Sequence, residues 1–227
     1  MENDKAVDWF LFHFGSDFVK SPVFNSESIY GKAEDCYVLF ADFCSFTSFL
    51  KATDKTNSIE NEMTSLYSEM RKIILQHNGM LDKFIGDAAV AIWGLHHPEE
   101  NATEQILSAC KELVQMANAI ANEWQSHIDT LVEPKGMHIG LSKGDVLVIR
   151  RDKKYPGFSL LGNPLNLASR LQTAALPNQV VCSNVVYQDM TNSEQNLFSP
   201  YTDKNGDAFL EAKNYGKIKA WVFNIQP

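Results

Sequence analysis

The sequence has no apolar run approaching the roughly 20 residues that a bilayer-spanning helix requires. Its start, Met1-Glu2-Asn3-Asp4-Lys5, is not a secretory signal. Cysteine is sparse: Cys36, Cys44, Cys110 and Cys182 are scattered without CxxC spacing. That argues against a structural zinc site and fits a reducing cytosol, so a cytoplasmic protein is expected. Positive charge is also short. Twenty lysines and arginines against 28 aspartates and glutamates leave a formal net charge of −8. A nucleic-acid binder normally carries a basic face, so that class is disfavoured. A polyanionic small molecule is still compatible, provided that a metal supplies local positive charge. No linker or repeat divides the 227 residues, and 44% hydrophobic with 21% charged residues is ordinary for a soluble globular chain.

What is present centres on Leu81–Trp93. Two short apolar runs flank Ile85-Gly86-Asp87, which reads as a β-hairpin whose tip carries Asp87. Upstream, Tyr37-Val38-Leu39-Phe40-Ala41-Asp42-Phe43 reads as a buried strand with Asp42 at its carboxyl end. Taken singly, Asp87 is a turn residue and Asp42 a helix N-cap. Together, two aspartates on the ends of neighbouring buried strands make a hard oxygen site suited to Mg²⁺ or Mn²⁺.

Residues 1–34 form an N-terminal arm with an aromatic cluster, Trp9, Phe10, Phe12, Phe14 and Phe18. It reads as a short helix or irregular arm ending near Gly15 or before Pro22, covering the domain or a dimer partner. Its lysines are too few for an anionic membrane surface. The first strand spans 36–43, and Ser45 and Thr47 are placed to cap a helix over 46–53. Amphipathic helices follow over 58–78, stopped by Asn78-Gly79, and over 101–126. Met137–Ile149 is strand-like, and Arg150–Gly157 is a basic loop. A helix over Pro164–Leu176 puts Asn166 and Arg170, four apart, on one face. Val180–Cys182 is a strand, 191–198 a small helix or turn, and Phe209–Lys213 with Lys219–Ile225 a closing hairpin. The order predicts one α+β domain with helices packed on a mixed, mostly antiparallel sheet.

Four segments, in order, resemble the class III nucleotide cyclases, the adenylate and guanylate cyclase catalytic domains. They are Val38–Thr47, Lys83-Phe84-Ile85-Gly86-Asp87, Leu161–Leu171 and the Lys213 segment. The likeness covers roughly Asp35 to Phe223, within a catalytic domain set at 35–227, and implies a ferredoxin-like core working as a head-to-tail homodimer with shared active sites. By position it implies that Asp42 and Asp87 hold two Mn²⁺ or Mg²⁺ ions with the Phe43 carbonyl. Asn166 would orient the ribose, Arg170 would stabilise charge on the α-phosphate, and Lys213 would bind the terminal phosphates. Lys83 and Ser159 would contact the base. The implied reaction turns a nucleoside triphosphate into a 3′,5′-cyclic nucleotide and pyrophosphate.

The chain departs from the family in having Gly162-Asn163 where Gly-Asp is common, and Asn214-Tyr215-Gly216 where a Gly-rich stretch is common. Lys83 cannot accept a hydrogen bond, so a guanine pocket of the Glu type is disfavoured. The absence of a fused sensor module resembles the pyrimidine cyclases of Pycsar antiphage systems, which make cyclic UMP or cyclic CMP for a separate effector. That places UTP or CTP slightly ahead of ATP. A catalytically dead cyclase-like binding domain and a two-metal phosphodiesterase or polymerase-like domain are the rival classes.

Overall fold

The computed structural model describes residues 2–21, 29–53, 56–95, 101–152, 157–203, 206–212 and 215–226. The arm forms α1 (Glu2–Phe14) and α2 (Ser16–Val19). The domain continues as β1 (Gly31–Phe43), α3 (Phe46–Ala52), α4 (Thr56–Gln76), β2 (Met80–Ile85), β3 (Ala88–Trp93) and α5 (Ala102–Gln125). Then come β4 (Met137–Arg150), β5 (Phe158–Leu161), α6 (Asn163–Ala174), β6 (Gln179–Ser183), α7 (Asn184–Asp189) and α8 (Asn192–Gln195). The chain closes with β7 (Ser199–Pro200), β8 (Leu210–Ala212), β9 (Gly216–Ile218) and β10 (Ala220–Asn224).

The main sheet runs β2-β3-β1-β4-β6-β10-β7, with β5 paired to the far half of β4. Only β4 and β6 run parallel among the described pairs, so the expected mixed, mostly antiparallel α+β architecture is found. Side chains alternate along each strand. From β1, Tyr37, Leu39, Ala41 and Phe43 enter the large core, where Leu66, Met70 and Ile74 of α4 and Ile106, Leu113 and Ala117 of α5 meet them. Val38 faces the other way, into a second core with Phe10 and Phe14 of α1, Val90, Ile92 and Ala168 of α6. Burial of this many apolar side chains on both faces, at about 25 cal/mol per Å², is what holds the layers together.

α6 lies very close to β4. A Cβ on Gly140 would fall 2.1 Å from the Ala168 carbonyl oxygen and 2.2 Å from the Gln172 nitrogen, so only glycine admits the helix backbone there. The α4 helix stops as expected: Asn78 adopts a left-handed conformation (φ 60°), and a Cβ on Gly79 would strike the Trp93 ring at 2.5 Å.

Several expectations need correction. The first strand begins earlier, at Gly31, with an irregularity between Ala33 and Cys36 where Asp35 has φ 54°. Ser45 stands at the N-cap of α3 but in a left-handed conformation (φ 58°), and no side chain caps that helix. The closing hairpin is not formed: β8 pairs with β9 as a separate ribbon, and β10 pairs with β6 and β7. Short elements β5 and α7 have too few residues to show a period. Pro22, Lys213 and Asn214, together with residues 153–156 of the basic loop, lie outside the described residues.

Candidate active site

Asp42 is the next-to-last residue of β1, with Ala88 of β3 on one side and His138 of β4 on the other. Ala88 follows Asp87 directly, and Gly86 makes the tight turn with φ 62°. The hairpin therefore sets the second carboxylate beside the first. Tyr67 of α4 braces this turn: its hydroxyl donates to the Gly86 carbonyl at 2.7 Å and its ring stacks on Phe84 with centroids 4.3 Å apart.

Both carboxylates are half-buried, and each feels the cost. Burial first, then the Asp42 charge, pushes Asp87 from an ordinary 3.8 up to about 6, against the pull of its own backbone N–H. Burial likewise raises Asp42, while His138 and a hydrogen bond from Gln172 favour its ionised form. Burial and both aspartates push the neighbouring Cys44 thiol up to about 12, so it stays protonated and inert. Two repelling, desolvated carboxylates fit a divalent cation, which relieves the repulsion. No group of three or more His, Cys, Asp or Glu able to hold a metal exists among the described residues. Remaining ligands would come from the Phe43 carbonyl, water or substrate. The Phe43 ring itself is buried against Trp124, centroids 5.1 Å apart, which leaves only its backbone for the site.

α6 serves the site with one face and shows the other to solvent. Gln172 Nε2 donates to Asp42 Oδ2 at 3.1 Å, and the Ser142 hydroxyl donates to the Pro164 carbonyl at 2.6 Å. Ala168 and Leu171 are buried on this side. At 3.6 residues per turn, Asn166 and Arg170 project from the opposite side, and both are exposed. One chain therefore does not bring Arg170 to its own aspartates. Tyr215 approaches this outer face: its hydroxyl donates to the Asn163 carbonyl at 2.7 Å, and the Arg170 charge acts on it.

Lys83 is exposed on β2, with its ammonium 3.1 Å from Asp82. Ser159 alternates with Phe158 and Leu160, whose side chains enter the second core, so it lies on the outer face of β5. No hydrogen bond or ion pair joins Lys83 to Ser159 among the described residues. The expected phosphate ligand Lys213 lies outside them. Sequence reasoning passed over Gln172, His138 and Tyr67. Gln172 had a usable signal, since it follows the buried Ala168 by four on the same helix face.

The chain is similar in sequence and in fold to known cyclases. The guanylate cyclase soluble subunit beta-2 of Homo sapiens is 27% identical over 162 residues, which covers 71% of this chain and 25% of the human protein. The chain spans between a quarter and two fifths of the length of such curated relatives. Among solved structures, the guanylyl cyclase Cya2 aligns with a TM-score of 0.70 at 17% identity, covering 87% of this chain and 95% of that one. The adenylyl cyclase CyaB of P. aeruginosa aligns with a TM-score of 0.68 at 19% identity, covering 86% and 96%. These establish the shared fold. Residues 29–225 match the adenylate and guanylate cyclase catalytic domain across both carboxylates and all of α6, and the chain belongs to that family of nucleotide cyclases.

Proposed function

We propose that the chain closes a nucleoside triphosphate into its 3′,5′-cyclic monophosphate, releasing pyrophosphate, as a homodimer with two active sites built from both chains. The observation that carries this reading is the division of α6. Gln172 faces the chain's own Asp42, while Asn166 and Arg170 face outward, where a second copy can present its carboxylates. A closed two-fold dimer then yields two equivalent sites.

Asp42, Asp87 and the Phe43 carbonyl would hold two Mn²⁺ or Mg²⁺ ions, which supply a lowered pKa at the 3′-hydroxyl and charge neutralisation at the leaving pyrophosphate. The nucleophile is tethered to the substrate, so orientation supplies much of the rate. Asn166 both donates and accepts, as a ribose requires. Arg170 stays charged and offers a fork of donors to the oxygens around the α-phosphorus, where negative charge grows. Lys213 takes the terminal phosphates. Lys83 donates to the base from β2, with Ser159 reaching it from β5. Lys83 suits the acceptors of uracil, cytosine or adenine. The pyrimidines are taken first, with the product read by an effector in trans; adenine is the alternative. No described helix is long and apolar enough to cross a membrane, and a cytoplasmic setting is part of this reading.

The test is product analysis. Purified protein with Mn²⁺ is given ATP, GTP, CTP and UTP separately, and products are identified by chromatography and mass. Cyclic UMP or cyclic CMP with pyrophosphate supports the pyrimidine reading, and cyclic AMP moves Lys83 to adenine. No cyclic nucleotide from any of the four refutes the assignment.

A further inference from the structure

β2 contains a bulge. Leu81 pairs with Ala91 and Lys83 with Val90, so Asp82 has no partner on β3. Without that extra residue, Lys83 would stand opposite Ala89 and point into the large core with it. The bulge turns Lys83 onto the face of Val90, where α1 packs. Asp82 follows it. Its side chain is only 3% exposed, against 45% for Lys83, and Oδ2 sits 3.1 Å from the ammonium nitrogen. By geometry Asp82 Oδ2 has no hydrogen-bond partner, although the Lys83 ammonium, within hydrogen-bonding distance, and the Arg151 charge both favour its ionised form. A carboxylate this buried, with only the Lys83 and Arg151 charges to offset its desolvation, is costly, and stability alone does not explain it.

α1 packs over this stretch. His13 is buried, and its Nδ1 donates to the Leu81 carbonyl at 2.6 Å, immediately before Asp82. The Trp9 and His13 rings pack on Phe158, with centroids 5.0 and 5.5 Å away, immediately before Ser159. One helix thus covers both strands that carry the base-contact positions. It lies outside the residues that match the family.

We propose that Asp82 is a positioning residue that sets base choice: its carboxylate, buried beneath α1, fixes where the Lys83 ammonium points, and so which base acceptor it meets. The proposal rests on the nucleotide-cyclase reading. Asp82 holds the ammonium from one side, which leaves its other N–H donors for the base. The low dielectric under α1 strengthens that attraction.

The test uses the full chain with wild type, Asp82→Asn, Lys83→Ala and the double variant. Each receives an equimolar mixture of the four triphosphates with Mn²⁺. The cyclic-product ratio is read by mass, and thermal unfolding is recorded in parallel. Asp82→Asn should reduce the preference for the favoured base about tenfold, as loss of one charged, positioned hydrogen bond would. The double variant should discriminate no worse than Lys83→Ala, because Asp82 acts only through Lys83. A purely structural ion pair would shift the melting temperature and leave the product ratio alone. An active wild type whose ratio is untouched by Asp82→Asn overturns this inference and spares the functional reading. A wild type that makes no cyclic product overturns both. If Asp82→Asn fails to fold, Asp82→Ser, smaller and neutral, serves the same comparison.

Discussion

Replacing Asp87 with asparagine should make the protein more stable in EDTA while abolishing turnover. The carboxyl of Asp87 rises from 3.8 to about 6 on folding, by burial and then by the Asp42 charge. An acid whose pKa rises on folding is ionised more readily in the unfolded chain, so deprotonation near neutral pH works against the fold. At about 1.36 kcal/mol per unit, the shift sets a ceiling of about 3 kcal/mol. Asp87 is half-buried, and solvent screening lowers the expected gain from the neutral amide to about 1–2 kcal/mol. In a domain of this size, that is about 3–6 °C in melting temperature. The gap should be full at pH values above the raised pKa of about 6. It should close as pH falls towards 3.8, where wild-type Asp87 takes up its proton in both states. With the proposed metal site, added Mn²⁺ should lift the wild type and leave the variant nearly unmoved. The assay is thermal unfolding across pH, with EDTA and with Mn²⁺. An Asp87→Asn protein that melts below wild type in EDTA at neutral pH refutes the strained-pair reasoning.

Three further outcomes are expected. An Asp42→Ala chain mixed and refolded with an Arg170→Ala chain should recover cyclase activity that neither homodimer has; silence in the mixture would count against sites shared between chains. Gln172→Leu removes the donor to Asp42 Oδ2, and should weaken Mn²⁺ binding by about 10–100-fold in calorimetry. Unchanged binding would show that Asp42 needs no such support. Gly140→Ala forces a Cβ to within 2.1 Å of the α6 backbone. It should cost about 1–3 kcal/mol in denaturant unfolding, or more if the helix cannot shift; a neutral outcome would mean that α6 is seated more loosely.

What could be read in the sequence was local. The Gly86 turn between apolar runs, the carboxylate after the Tyr37–Ala41 run and the i, i+4 pair Asn166 and Arg170 all depend on residues close in the chain, and the structure places all three as expected. What could not be read was non-local or short. The partner of Leu210–Ala212 is chosen by packing, and β9 rather than β10 takes it. The four residues of Phe158–Leu161 show no period worth reading. The direction of Lys83 depends on a single extra residue in β2. Because strand side chains alternate with a period of two, one bulge reverses the face, and nothing in the residue types announces it.

The two faces of α6 have a consequence for the proposed dimer as a whole. Each α6 would stiffen its own chain's carboxylate through Gln172 and offer Asn166 and Arg170 to the neighbouring centre. In the proposed dimer, two such helices would close a mechanical ring in which every catalytic centre leans on both. Gly140 leaves no slack in that ring, since the helix backbone rests directly on β4. Substrate gripping Arg170 at one centre would therefore tug on the aspartate of the other. A pair of centres joined this way would fire in step or in alternation rather than as strangers.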